Sequence, residues 1–131
     1  MVQMFTAEGV ISPHDLVKYG TDGSRVLRIA AATDTTCLGV ADLNMTKVAS
    51  GGKETDDYAI GDQVPVIMDG LVVVKADAGV ARGARVMVGA TTFYRVITEA
   101  ASIAGVQQGV GRALTTASAG GDKLVVLLRG S

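Results

Sequence analysis

Ala59-Ile60-Gly61-Asp62-Gln63-Val64-Pro65-Val66 is a turn of small residues that carries Gly and Asp and runs straight into a short valine-bearing strand. The phrase recurs as Ser12-Pro13-His14-Asp15-Leu16-Val17-Lys18-Tyr19-Gly20, as Ala81-Arg82-Gly83-Ala84-Arg85-Val86-Met87-Val88-Gly89 and as Gly120-Gly121-Asp122-Lys123-Leu124-Val125-Val126-Leu127-Leu128. Between the copies stands a second phrase, Cys37-Leu38-Gly39-Val40-Ala41-Asp42-Leu43 in the first half and Gln108-Gly109-Val110-Gly111-Arg112-Ala113-Leu114 in the second. The halves therefore read alike: turn and strand, Gly-Val strand, turn and strand. A degenerate internal duplication is one reading; the other is that any Gly- and Val-rich β protein writes look-alike hairpins. Asp15, Gly61, Asp62, Gly121 and Asp122 are the turn-forming residues of the phrase, and Ala84 stands where the other copies have Asp.

Seventeen glycines, two prolines and glutamate only at positions 8, 54 and 99 leave few helix formers, whereas abundant Val and Thr suit a pleated surface. The expected fold is all-β: one compact domain of short antiparallel strands, a small barrel or sandwich, with at most one short helix. With 131 residues there is material for one modest core. The domain is expected to span 10–131, after an N-terminal arm at 1–9, with a polar loop inserted at about 46–58.

Along the chain, Val2 to Val10 alternate poorly and place Met4 and Phe5 ahead of any turn, which suits an extended arm that needs a partner surface. Val2, Gln3, Met4 and Phe5 are accordingly the candidate contact residues, the alternative being an edge strand packed on its own domain. Leu16–Tyr19 and Arg25–Ala30 form an expected hairpin. Gln63–Met68 and Leu71–Ala76 form another across Asp69-Gly70, where Gly70 supplies positive φ. Pro65 lacks a ladder donor, so its strand is expected at an edge or with the missing N–H turned outward. Arg85–Val88 pairs with Phe93–Thr98, residues 98–108 hold the only stretch where a short helix fits, and Lys123–Leu128 reads as a strand buried on both faces.

Twelve basic against thirteen acidic residues, with no Lys/Arg cluster, lack the electrostatic footprint of a nucleic-acid binder. The longest apolar run, Leu71-Val72-Val73-Val74, is far short of a membrane span, and no basic, hydrophobic leader opens the sequence. A soluble protein made in the cytoplasm is expected. The aromatic content of 4% without Trp limits core bulk, and such cores gain stability by assembling with copies of themselves. Single Cys37, at the start of an apolar strand, reads as a structural thiol.

Catalytic patterns are missing. His14 is the lone histidine, which excludes a two-histidine metal site within one chain. Gly51-Gly52-Lys53 resembles a phosphate loop but has Lys47 for the leading glycine and Glu54 for the hydroxyl residue; Gly109-Val110-Gly111 lacks the third glycine of a dinucleotide fingerprint. Asp56-Asp57 has hard oxygen donors for a cation and nothing near to complete a shell. Neither a catalytic residue, a metal nor a cofactor is assigned. Lys75, near a hairpin, allows a different class: a small β carrier of the lipoyl or biotinyl type, without the usual Asp-Lys-Ala or Met-Lys-Met setting.

The order Asp15-Leu16-Val17-Lys18, Leu38-Gly39-Val40-Ala41, Ile60-Gly61-Asp62-Gln63-Val64-Pro65-Val66, Gly70-Leu71-Val72-Val73-Val74-Lys75-Ala76, Gly109-Val110-Gly111-Arg112-Ala113 and Gly121-Asp122-Lys123-Leu124-Val125-Val126-Leu127-Leu128 resembles the capsid decoration, or cement, proteins of tailed bacteriophages. The resemblance runs from about Gly9 to Leu128. It implies a non-enzymatic all-β protein, a homo-oligomer and usually a trimer, bound to the major capsid protein on the virion exterior and clamping neighbouring shell subunits. It implies no nucleic acid and no membrane as partner.

Overall fold

The computed structural model describes residues 2–30, 37–43, 57–89, 92–98 and 109–128. Ten strands account for the regular structure: β1 (Val2–Ala7), β2 (Leu16–Tyr19), β3 (Arg25–Arg28), β4 (Gly39–Ala41), β5 (Gln63–Ile67), β6 (Gly70–Lys75), β7 (Arg85–Val88), β8 (Val96–Thr98), β9 (Gly109–Ala113) and β10 (Lys123–Leu128). Among the described residues there is no helix; the helix expected in 98–108 and most of the polar loop at 46–58 lie outside them.

The first five strands close into a barrel of order β1-β3-β2-β4-β5, and the last five form a sheet of order β6-β10-β9-β7-β8. The two share one pairing scheme. β1 pairs antiparallel with β5 as β6 does with β10; β2 pairs with β3 and β4 as β7 does with β8 and β9; β4 pairs with β5 as β9 does with β10. Even the parallel closure is kept, Ala7↔Val26 in the barrel and the single bridge Ala76↔Val96 in the second sheet. The all-β duplication read from the phrases is therefore the architecture, with one addition that local patterns do not announce: the closure between β1 and β3 is parallel.

The turn phrase explains why the register survives. His14, Gly61, Gly83 and Gly121 have φ of 74°, 93°, 89° and 90°, the value the third residue of a type II turn requires. In each turn that residue's amide donates to an alanine carbonyl, and the same alanine's amide donates to the carbonyl of the turn's last residue. The alanines are Ala41, Ala7, Ala113 and Ala76, and all four are buried. Three turns carry a further clasp, in which the Asp15, Asp62 and Asp122 carboxylates accept the amides of Ser12, Ala59 and Ala119 at 2.8, 2.9 and 3.1 Å. Ala84 cannot make it, and packs instead against the apolar core.

Gly39 and Gly111 occupy equivalent places in β4 and β9. A Cβ on either would collide with the carbonyl oxygen of Ile67 or of Leu127 in the adjacent strand. A strongly coiled small barrel needs such bare positions, because backbones approach there more closely than a side chain permits.

Three expectations change. The N-terminal segment is not an arm but barrel strand β1, paired with β5 from Val2↔Ile67 to Thr6↔Gln63, with Phe5 and Ala7 buried. Its alternation was obscured because the outward positions Val2 and Met4 are themselves apolar. Asp69-Gly70 is not a hairpin: Gly70 does have positive φ, 99°, but β5 already has β1 and β4 on its two edges, so the turn joins one unit to the next. Finally, β10 alternates, with Lys123 and Leu127 exposed between the buried Leu124, Val126 and Leu128.

The Pro65 strand changes too: it is neither at an edge nor turned with the missing N–H outward, but lies inside the closed barrel between β1 and β4. The Pro65 carbonyl accepts the amide of Asp42 at 2.9 Å, so its nitrogen faces the Asp42 carbonyl without a proton to give. The Tyr58 hydroxyl donates to that carbonyl instead, at 2.7 Å. Burial pushes the Tyr58 phenol well above its usual range, so the hydroxyl keeps this proton.

Candidate interaction surface

The outward positions of the paired first and last strands of each unit are apolar. Val2 stands opposite Ile67 and Met4 opposite Pro65 on β1 and β5; at the equivalent places Leu71 stands opposite Leu127 and Val73 opposite Val125 on β6 and β10. Leu71 is 64% exposed, Val2 58% and Met4 54%. Cross-strand pairs of this kind bury their sides against each other but leave their tips in water. Of the four candidate contact residues, Val2, Gln3 and Met4 are thus on the surface, whereas Phe5 is in the barrel interior, its ring edge-on to Tyr19 at 6.0 Å. Leu71, Val73 and Leu127 were missed as surface residues because a valine-rich run looks uniformly buried. Their equivalence to Val2, Met4 and Ile67 under the duplication was the available signal.

The two units meet along a seam. Outward Leu16, Val40 and Ile29 of the barrel join one apolar cluster with Val72, Val88, Val110 and Leu128 of the second sheet, and Ile67 and Phe93 pack against it. The Leu16 amide donates to the Tyr94 carbonyl at 3.0 Å, and the Arg28 guanidinium lies 4.4 Å from the Tyr94 ring centroid. Arg28 also approaches Asp15 at 3.6 Å. Desolvation raises the Asp15 carboxyl from 3.8 to about 6, against the opposing pull of the Ser12 amide, Arg28 and Lys75. A cleft of about 310 Å³ lined by Arg28, Ile29, Thr92, Phe93 and Tyr94 opens beside the seam.

Burial pushes the Cys37 thiol up to about 12, and its Sγ contacts the Gly39 carbonyl at 3.7 Å, which disfavours the thiolate form. Lys75 is half-buried within β6, opposite Lys123, and does not project from a hairpin tip. Asp57 accepts the Ser12 hydroxyl at 2.8 Å, and Asp56 lies outside the described residues. Among the described residues no three His, Cys, Asp or Glu side chains are placed to hold a metal ion.

The duplicated β fold, with its exposed apolar strand pairs, resembles a solved structure. Its fold is similar to that of a phage head-fibre base. The likeness is to the crystal structure of the head fiber gp8.5 N base of bacteriophage phi29, with a TM-score of 0.67, 16% identity, and coverage of 100% of this chain and 95% of that one. At that identity the likeness is one of fold. No family model matches the sequence, and no curated protein does.

Proposed function

We propose that this chain is a structural protein of a tailed-phage virion that binds the outer surface of the head and stabilises contacts between shell subunits. The observation that carries the reading is the fold shared, over the whole chain, with a protein described as the base of a phage head fibre. The surface supports it: both units display apolar cross-strand pairs, suited to a protein that spans a seam and adds interface area to each separating pair. The partner is the major capsid protein, the assembled form a trimer of this chain, and no reaction or cofactor is involved.

The test is direct. Purified protein is mixed with expanded heads lacking it and sedimented; co-sedimentation that saturates, together with a higher temperature of head disruption, is expected. Protein left in the supernatant at all concentrations would sink the reading. Intact-mass measurement addresses the carrier class, since a lipoyl or biotinyl adduct on Lys75 would replace the structural role.

A further inference from the structure

The cleft beside the seam has two walls of separate origin. Residues 28–30, running out of β3, form the barrel's wall; Thr92, Phe93 and Tyr94, leading toward β8, form that of the second unit. Register shows what the duplication made of each. The bridges Ala7↔Val26 and Ala76↔Val96 make Val26 the counterpart of Val96, so Thr92, Phe93 and Tyr94 correspond to Asp22, Gly23 and Ser24, and Arg28 to the exposed Thr98. Both turns close alike, the Arg25 amide donating to the Asp22 carbonyl and the Arg95 amide to that of Thr92. In the barrel the turn is self-contained, its Asp22 carboxylate accepting the Ser24 amide and hydroxyl. In the second unit it carries two rings instead. Neither the rings nor the Arg28 guanidinium are needed to make the turn.

Sealing the seam accounts for part of this difference, since Phe93 packs against the shared core and the Tyr94 carbonyl accepts the Leu16 amide at 3.0 Å. It does not account for Arg28. A guanidinium stacked on a ring commits its face and keeps its five N–H donors at its edge. The stack on Tyr94 is 4.4 Å from the ring centroid, and the carboxylate at the edge, Asp15, stands 3.6 Å away, an ion-pair distance too long for a good hydrogen bond. The Arg28 side chain is 37% exposed against 6% for Asp15, so the cation is open to the cleft while its counter-ion is buried. Lys75 of β6 also acts on Asp15, which leaves this corner of the seam with an excess of positive charge.

We propose that this cleft binds the carboxylate of an acidic side chain presented by a partner protein, with Arg28 as the gripping group and Asp15 as its internal competitor. Half-buried Phe93 and exposed Ala30 offer apolar wall to the methylene stem of such a side chain. The occupant is a side chain of a larger partner, not a free metabolite, because two walls make an open trough of about 310 Å³ that does not surround a ligand as a closed pocket does. Ionised Asp15 and the incoming carboxylate repel each other and share one guanidinium, so each weakens the other's hold. The groups facing Asp15 are the Ser12 amide, Arg28 and Lys75, and His14 is buried next to it in the same turn. Burial holds the Asp15 carboxyl at about 6, so it takes up its proton as the pH falls from about 7.5 to about 6, and carboxylate affinity is expected to rise over that range. The proposal stands apart from the head-binding reading, because it is read out on the chain alone with peptides.

The probes are the capped peptides acetyl-Gly-Glu-Gly-amide and acetyl-Gly-Gln-Gly-amide, and sodium acetate, titrated into the isotope-labelled full chain while the Leu16 and Tyr94 amides are followed by NMR. At about pH 7.5 the glutamate peptide is expected to shift both signals saturably and to bind about tenfold more tightly than the glutamine peptide or acetate. At about pH 6 its affinity is expected to be severalfold higher. Arg28→Gln is expected to abolish the preference for glutamate over glutamine. Asp15→Asn is expected to bind the glutamate peptide at the higher pH as tightly as the wild type does at the lower one, without pH dependence; a cooperative melt establishes that each variant folds. Equal binding of the two peptides, acetate binding as tightly as the glutamate peptide, or an Asp15→Asn variant that keeps the wild-type pH dependence overturns the proposal. The first two comparisons use the wild type, so they decide it even where a variant does not fold.

Discussion

The barrel and the second sheet hold the same fold with different fillings. The barrel interior is built on Phe5 and Tyr58, whose counterparts in the second unit are Val74 and Ala117, set by matching cross-strand partners. The barrel is closed by two parallel pairs, the second sheet by one bridge. What compensates the second unit is the set of positions Val72, Val88, Val110 and Leu128, buried there, whereas their barrel counterparts by strand register are the exposed Gln3 and Tyr19 and the half-buried Leu38 and Met68. The comparison teaches that alanine-anchored turns and two bare glycines keep the topology, while the volume of the interior drifts. Cores tolerate such drift when pattern and register are held.

The largest effect tests the closure. Deleting residues 2–6 removes β1, bares the edges of β3 and β5 and takes away Phe5, whose loss alone is worth about 3–5 kcal/mol. The barrel is expected to lose its cooperative thermal transition, followed by far-UV circular dichroism. A variant that melts like the parent would mean that β1 is dispensable and the barrel is not closed by it. Next come Gly39→Ala and Gly111→Ala, each expected to cost about 1–3 kcal/mol from backbone displacement. Their equality, measured by urea unfolding, is the sharper result, since a large imbalance would break the equivalence of β4 and β9.

Asp15 gives an effect of at most about 3 kcal/mol, confined to one unit. Its folded pKa of about 6 lies above the ordinary 3.8, so between those values the folded protein holds more protons than the unfolded one. Stability from this residue is therefore greatest below about pH 4, falls as pH rises to about 6, and is flat above. Asp15→Asn is expected to remove that slope while keeping an acceptor for the Ser12 amide; melting temperatures at pH 4, 5, 6 and 7.5 check it. Smallest are the clasps: Asp62→Ala and Asp122→Ala are each expected to cost about 1 kcal/mol at pH 7, both carboxylates being in exposed turns. Unequal losses in urea would show that the two turns no longer share one role.

Much of this was legible because the turn phrase is local. Gly61, Asp62, Gly121 and Asp122 announce their positive φ and their carboxylate clasps within four residues, and the duplication follows from their recurrence. His14 shows the limit: it occupies the position held by glycine in the other three turns, and only its place in the phrase betrays the conformation. Partner choice was not legible. Asp69-Gly70 has the composition of a hairpin, yet which strand lies beside β6 is decided by Leu71↔Leu127, a pairing 56 residues distant in sequence. Nor could Val2 and Met4 be told from inward residues, since an apolar outer face erases the alternation on which strand reading depends. The same property makes that face a candidate for contact.

The placement of aromatic rings has a practical consequence for anyone watching this protein by light. There is no tryptophan, and the three tyrosines are Tyr19 and Tyr58 in the barrel and Tyr94 against the seam. No strand from β6 to β10 carries a ring. Tyrosine emission and near-ultraviolet dichroism therefore report the barrel and its junction, and are blind to the interior of the second unit. If that unit opened by itself while the barrel stayed shut, a melt followed by tyrosine emission would show at most the change at Tyr94, and amide exchange at Val74 and Val126 would be needed to see the rest.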